Sequence, residues 1–337
     1  MKKHPTKRNA LALLWGAALL LGSANLAAAQ TGREFLPLPS QARPAATPAV
    51  GYILQKAGSN GYVAIAGFVQ ATFVVTSAGV VVIDAPPAMA DQLHAAIKSV
   101  TTKPVTHVIL THDHVDHIGA VTTFVGAKLV AHEATANLLK LFPDPKRPVP
   151  TITFAGDHYT LTVGGERFEL LYPGPNHEAG NIIVHVPQQK LAIMTDLVMP
   201  GWVPYRGWGN ADHIPGLFKA YDALLKLDFD TYVGGHVYRT GTRADVEQSH
   251  DYLLDVWRET KQAMGTVPFK AAAEPANAWA AQTVWFDEVA TVVTKNLVDK
   301  WKDKLGGADT FTHDTVISAI ISLSTDGAVI PEGSLKQ

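Results

Sequence analysis

The chain of 337 residues is 47% hydrophobic, enough to bury a sizeable core as one large domain or as a domain with an appendage. Its formal charge of -2, with no basic stripe and no acidic block, argues against nucleic acid as a partner. The absence of cysteine excludes disulfides, a lipid anchor on cysteine and a cysteine nucleophile.

The amino terminus reads as a targeting segment. Lys2, Lys3, Lys7 and Arg8 make a basic start, residues 10–22 are apolar, and Ala27, Ala28 and Ala29 precede Gln30 as a small-residue cleavage site. The apolar run is about half of what a bilayer span needs, so residues 1–29 are expected to be a cleaved signal peptide. The mature protein is then periplasmic or secreted, with no membrane attachment. Residues 30–50, rich in Pro, Ala and polar side chains, are expected to form a flexible leader.

Residues 51–265 carry the pattern of a mixed α/β domain. The runs YVAIAGFV, TFVVTS and VVVID read as strands, with Ser77, Ala78 and Gly79 as a hairpin turn and Asp84 at the end. The spacing of Met89, Leu93, Ile97 and Val100 predicts a helix over 89–100. Residues 105–110 (VTHVIL) read as a buried strand that leads into THDHVDHIG, and GAVTTFVG after it as a helix of small residues. KLVAH is a strand and residues 133–142 a helix, closed by the breakers of PDPKRPVP. TITF, HYTLTV and RFELLYP follow as strands, and NIIVHVP and KLAIMTD as a further hairpin. Residues 214–227 form an amphipathic helix, and Thr242 with Asp245 reads as a capping box opening a helix to about Met264. Residues 266–337 read as a helical extension, because Trp285, Val289, Val293, Leu297, Trp301 and Leu305 recur every four residues. A second helix is expected over 312–324. The extension is expected to pack on the core or to join two copies in a homo-oligomer, with a substrate-binding module as the alternative.

The chemistry concentrates in H-x-H-x-D-H, formed by His112, His114, Asp116 and His117. Three imidazoles and a carboxylate within six residues cannot all face one way on a regular element, whereas a loop lets them converge on one or two cations. His177, Asp196 and His236 follow at predicted strand ends as further ligands. Asp84, a lone carboxylate at the end of an apolar strand, needs hydrogen bonds, in a helix cap or elsewhere. The stretch PGWVPYRGWGN (200–210) has two Trp, a Tyr, an Arg and three Gly without a period. It reads as a lid or substrate wall, or as aromatic packing on the core.

The order H-x-H-x-D-H, His, Asp, His resembles the metallo-β-lactamase superfamily over roughly residues 61–264. The resemblance implies an αβ/βα sandwich, two mixed β-sheets flanked by helices with the metals at the edge between the sheets. It implies two zinc ions, one on His112, His114 and His177, the other on Asp116, His117 and His236, with Asp196 bridging both. It also gives Asp84 a role in orienting the metal loop. Between two cations the pKa of water falls from near 16 to roughly 7, so a metal-bridging hydroxide is available to attack a carbonyl at neutral pH. Asp116 would both ligate and steer the proton.

The stretch YPGPNHEAGNIIVHVPQQKLAIMTDLVMPG resembles the zinc β-lactamases that have a cysteine where this chain has Asp196. An aspartate there is a feature of lactonases and of glyoxalase II-type thioesterases. The lysine that binds the substrate carboxylate in those β-lactamases is here Met199. Asn210 matches their carbonyl-polarising asparagine. Arg206 is a candidate for the missing positive charge, and Tyr205 and Trp202 are further substrate candidates. The expected function is a secreted dinuclear zinc hydrolase opening a cyclic amide or ester, either a β-lactam or a lactone. The alternatives are a thioester hydrolase of glyoxalase II type and an iron-dependent persulfide oxygenase.

Overall fold

In the computed structural model, residues 34–271 and 274–327 are described; the expected signal peptide lies outside them. Strands β1 (Ile53–Ala57), β2 (Gly61–Ala66), β3 (Val69–Thr76) and β4 (Gly79–Ile83) form an antiparallel meander. Helix α1 (Ala90–Val100) carries the chain back, so β5 (Val105–Ile109) joins parallel to β4. After α2 (Val115–Ile118), β6 (Lys128–His132) pairs parallel to β5, and after α3 (Glu133–Leu141), β7 (Ile152–Phe154) completes the seven-stranded sheet.

The second sheet has five strands. β8 (His158–Val163), β9 (Glu166–Leu171), β10 (Ile183–Val186) and β11 (Leu191–Ile193) are antiparallel. β12 (Thr231–Val233) adds parallel to β11 after the short α4 (Arg206–Asn210) and the longer α5 (Ile214–Leu225). Helices α6 (Arg243–Thr266), α7 (Ala278–Trp301) and α8 (Ala308–Thr325) follow.

Burial on both faces explains why β4 is a continuous apolar run rather than an alternating one. Val80 and Val82 pack with Leu93 and Ile97 of α1 on the outside of the first sheet. Val81 and Ile83 instead meet Phe168, Leu170, Val184 and Ile193 of the second sheet. The outer face of the second sheet is covered in turn by helices. Ile183 and Ala192 share one core with Phe218 and Tyr221 of α5, Val256 and Trp257 of α6, Val293 and Leu297 of α7, and Val316 and Ile320 of α8. The result is a sandwich of two mixed sheets with helices outside, and the four-residue repeat of α7 is its buried face. Among the described residues no helix is long and apolar enough to cross a membrane.

Two local expectations change. The expected helix at GAVTTFVG does not form; the one-turn α2 lies earlier, and a 3-10 turn spans Val121–Thr123. The cause is backbone pairing with the end of β4, where Ala85 N donates to His117 O and Ala120 N to Ala85 O. Residues 36–43, in the segment expected to be a flexible leader, are tied to the body. Leu36 N donates to Asp309, Arg239 Nε to Gln41 O and Trp202 Nε1 to Ala42 O. All these partners are far away in sequence, so Pro- and Ala-rich composition alone could not announce them.

The start of α6 joins local and long-range bonding. Thr242 donates to Asp245 Oδ2 from its backbone N at 2.9 Å and its Oγ1 at 3.0 Å. Arg239 donates to both oxygens of the same carboxylate, at 2.6 and 3.1 Å. Burial opposes charge on Asp245, yet Arg239 and Thr242 hold its pKa below the usual carboxylate range. A depressed folded pKa contributes stability that is complete above the unfolded value and lost as pH falls through the folded one. Asp245→Ala is therefore expected to cost about 1–3 kcal/mol at neutral pH. In urea titrations the gap to wild type should close below about pH 4. A gap that does not change with pH would assign the effect to packing instead of charge.

Candidate metal centre

The site lies where strand ends of both sheets meet, and Asp84 is the knot. This residue follows β4 with φ 58°, a left-handed conformation that a short polar side chain tolerates. Its Oδ1 accepts from Thr111 N at 2.9 Å, while Oδ2 accepts from Thr111 Oγ1 at 2.6 Å and Thr195 Oγ1 at 3.0 Å. One carboxylate thereby joins the loops after β4, β5 and β11. Burial pushes its pKa up, against the opposing pull of His117 and the Thr111 donors. Thr111 Oγ1 also lies 3.0 Å from His112 Nδ1, which aims Nε2 of that ring away from Asp84.

The seven expected ligands fall into two groups, His112, His114, His177 and Asp196 in one, Asp116, His117 and His236 in the other. Within each group the ligand atoms lie within 4.8 Å of one another. Asp196 stands between them. Its Oδ2 is 3.5 Å from His112 Nε2, 3.2 Å from His177 Nε2 and 3.1 Å from His117 Nε2, and its Oδ1 is 3.1 Å from His236 Nε2. His114 presents Nδ1, 3.2 Å from His177 Nε2. Asp116 Oδ2 is 3.6 Å from His117 Nε2 and 3.8 Å from His236 Nε2.

The donor set fits a cation. His112 Nε2 and Asp196 Oδ1 are buried without a hydrogen-bond partner, an arrangement that costs about 1–3 kcal/mol per group unless something positive meets them. Imidazole nitrogen and carboxylate oxygen suit zinc and its neighbours, and the shared Asp196 is consistent with a dinuclear site. The electrostatics are strongly coupled. Burial opposes charge on Asp196, but His117 and His177 hold its pKa well below the carboxylate range. Burial likewise opposes charge on His117, and Asp196 with Asp116 lifts its pKa to about 9.

Several side chains that fix this geometry were not singled out in the sequence. Asn176 Oδ1 accepts from His177 N at 2.7 Å, and Asn181 Nδ2 donates to Thr195 O at 3.0 Å, so the His177 loop is held against the Asp196 loop. Gly235 has φ 82°, and a Cβ there would lie 2.6 Å from Thr195 and 3.1 Å from His117. Phe68, half exposed in the turn between β2 and β3, stacks on His236 with centroids 6.0 Å apart. Polar residues flanking ligands at strand ends were the legible signal for Thr111, Thr195 and Asn176. Phe68 had none.

The aromatic stretch 200–210 divides its residues between core and surface. Trp208 is buried against Phe218 and Trp257 and donates from Nε1 to Thr315 O at 2.8 Å. Trp202 lies against Ala42 and Gly306, and Tyr205 packs edge-on against Phe311 at 5.3 Å. Neither joins the metal ligands. Arg206 is paired with Asp314 of α8 at 2.9 Å in an exposed ion pair. Gly207, Trp208, Gly209 and Asn210 have φ of 54°, 64°, 76° and 58°, a left-handed turn inside α4. A Cβ on Gly209 would lie 2.9 Å from Asp196 O, and Asp212 N donates to His177 O at 3.0 Å. The turn is therefore wedged against the backbone that carries the ligands, with Asn210 exposed at its exit.

Comparison with known proteins agrees with this geometry. The sequence matches the family model of the metallo-beta-lactamase superfamily over residues 64–236. It is 34% identical over 174 residues to the 2,4-dinitroanisole O-demethylase subunit alpha of Nocardioides sp. (strain JS1661), covering 49% of this chain and 51% of that protein. It is 32% identical over 122 residues to the metallo-beta-lactamase type 2 of Bacillus sp. (strain 170), covering 34% of this chain and 45% of that one. The chain thus spans about half the length of the curated relatives it matches. Among solved structures, a metallo-beta-lactamase from Pontibacter korlensis superposes with TM-score 0.50 at 24% identity, over 59% of this chain and 96% of that one. At that identity the likeness shows the fold alone.

The Asp84–Thr111–His112 chain generates a test. Thr111→Val keeps the volume but removes the hydroxyl that orients His112, and is expected to weaken the binding of added zinc ten- to hundredfold in competition with a chelator. Thr111→Ser should retain it. Wild-type affinity in the valine variant would reduce Thr111 to a space-filling residue.

Proposed function

Because the chain belongs to the metallo-β-lactamase superfamily, we propose that it is a metal-dependent hydrolase that holds two zinc ions and opens a cyclic ester or amide. The observation that carries the dinuclear reading is Asp196, whose two carboxylate oxygens face ligands of both groups. His112, His114 and His177 would hold one ion and Asp116, His117 and His236 the other, with Asp196 shared. When bound, the pair supplies water of lowered pKa and Lewis acidity toward an acyl oxygen. Asp116, whose side chain is 59% exposed against 7% for Asp196, is the carboxylate able to take the proton of the attacking water. Asn210, exposed at the exit of the turn that lies against Asp196 O, is the residue whose amide would donate to the acyl oxygen as charge develops there. Asp84 and Thr111 keep His112 oriented throughout.

Between the two ring-opening substrates, the Arg206–Asp314 pair favours a lactone. A β-lactam presents a carboxylate that needs a cation, Met199 provides none, and at Arg206 it would compete with the carboxylate of Asp314. The identity with a protein named 2,4-dinitroanisole O-demethylase supports a second reading, cleavage of an activated aryl methyl ether. Export of the protein is a further proposal, supported by the basic, apolar and small-residue sequence of residues 1–29.

Metal analysis followed by a substrate panel tests the proposal. About two zinc ions per chain are expected, as a paired site requires, with turnover of an acyl-homoserine lactone ahead of nitrocefin, a thioester and 2,4-dinitroanisole. Asp196→Ala is expected to lose metal and most of the turnover. A single tightly bound iron, with oxygen consumed on a persulfide, would sink the hydrolase reading. Faster loss of methoxyl from 2,4-dinitroanisole than opening of the lactone would select the ether.

A further inference from the structure

A cleft of about 420 Å³ lies beside the left-handed turn, walled by Arg206 and Asn210 on one side and by Phe286, Asp287, His313 and Asp314 on the other. The helix residues that line it recur at three- and four-residue spacing, so one face of α7 and one face of α8 build this wall. Both helices lie beyond residues 64–236, the part that matches the family. The shared fold does not supply this surface. On its near side the cleft is separated from the ligands by the thickness of one backbone turn, since Gly209 lies against Asp196 O and Asn210 faces the cleft.

Its charge is unbalanced toward the negative. Asp287 and Asp314 face a single arginine, and Arg206 is held by Asp314 at 2.9 Å. Arg147, the arginine bonded to the metal loop at Asp113 O, is likewise occupied by Asp144 at 2.9 Å. Among the described residues no other Lys or Arg lines the cleft and His313 is the remaining titratable group there, while Phe286 and Ile317 add apolar surface.

We propose that this cleft receives the non-reacting part of the substrate, and that Asp314, by engaging Arg206, makes the site select an uncharged or cationic, partly apolar group over a carboxylate. The proposal rests on the hydrolase reading for the bond that is broken, and on the cleft alone for the selectivity. Asp314 is a specificity residue acting through Arg206. The apolar surface accommodates an aliphatic or aromatic group, and the acidic lining repels a second negative charge.

The test uses the zinc-loaded full chain and a series of lactones that differ only in a distal methyl, trimethylammonium or carboxylate group, at low salt because exposed pairs are screened. The carboxylate member is expected to have the lowest kcat/KM. Asp314→Asn, which releases Arg206, should raise the ratio of carboxylate to methyl turnover about three- to tenfold, as an exposed ion pair permits. The double variant Asp314→Asn/Arg206→Gln should return the ratio to its original value. Equal kcat/KM across the series, or a ratio that Asp314→Asn does not move, overturns the proposal. If no member of the series is opened, the hydrolase reading fails separately, and calorimetric binding of the matching uncleavable lactams decides the cleft. The same ordering with the same response to Asp314→Asn upholds the proposal, and its absence overturns it.

Discussion

A carboxylate buried among imidazoles is the constraint on which the rest of the structure depends. Asp196 is 6% exposed and lies within 3.5 Å of four histidine nitrogens, with no other side chain bonded to it among the described residues. Such a group is tolerable only where positive charge is fixed around it. The groups that would hold such a charge come from loops of both sheets at once. The two sheets must therefore end at a common edge, and Asp84, Thr111 and Thr195 join those ends by hydrogen bonds.

Holding so many groups at one point uses backbone conformations that side chains rarely adopt, and among the described non-glycine residues with positive φ only Lys190 lies away from the site. Asp84, Asp196, Trp208, Asn210 and Val237 all have positive φ, and each adjoins or carries a site residue. A non-glycine residue there costs of order 1–3 kcal/mol and persists only where its surroundings over-determine it. For Trp208 the surroundings are plain: its buried ring and the bond from Nε1 to Thr315 O fix the turn. The binding of α8 to this tryptophan couples the C-terminal helices to the loop that reaches the metal ligands. Removing the helices would leave the turn without the contact that holds it.

The C-terminal helices have two consequences for the site. They cover the outer face of the second sheet in one continuous core with α5 and α6. They also bring an aspartate to Arg206, which changes that arginine from a free cation into half of an ion pair. A site whose ligands follow the family pattern thereby acquires a rim of its own charge. The candidate ligands and the aspartate that meets Arg206 come from different parts of the chain.

The sequence by itself determined what depends on local patterning. Strands such as KLVAH and HYTLTV and the capping box at Thr242 and Asp245 stand where period and turn chemistry put them. The histidines and aspartates of the site were legible because few solvated turns carry H-x-H-x-D-H, and the structure gathers them with His177, Asp196 and His236. The one-turn α2 was not legible, because Ala85, distant in sequence, takes the hydrogen bonds that a longer helix would have used. Nor were the docking of residues 36–43 and the engagement of Arg206, since their partners Asp309, Arg239 and Asp314 are all more than a hundred residues away. Periodicity records which face of an element is buried. Which charge stands opposite a given arginine is decided only when the chain has closed on itself, and there the tertiary structure alone gives the answer.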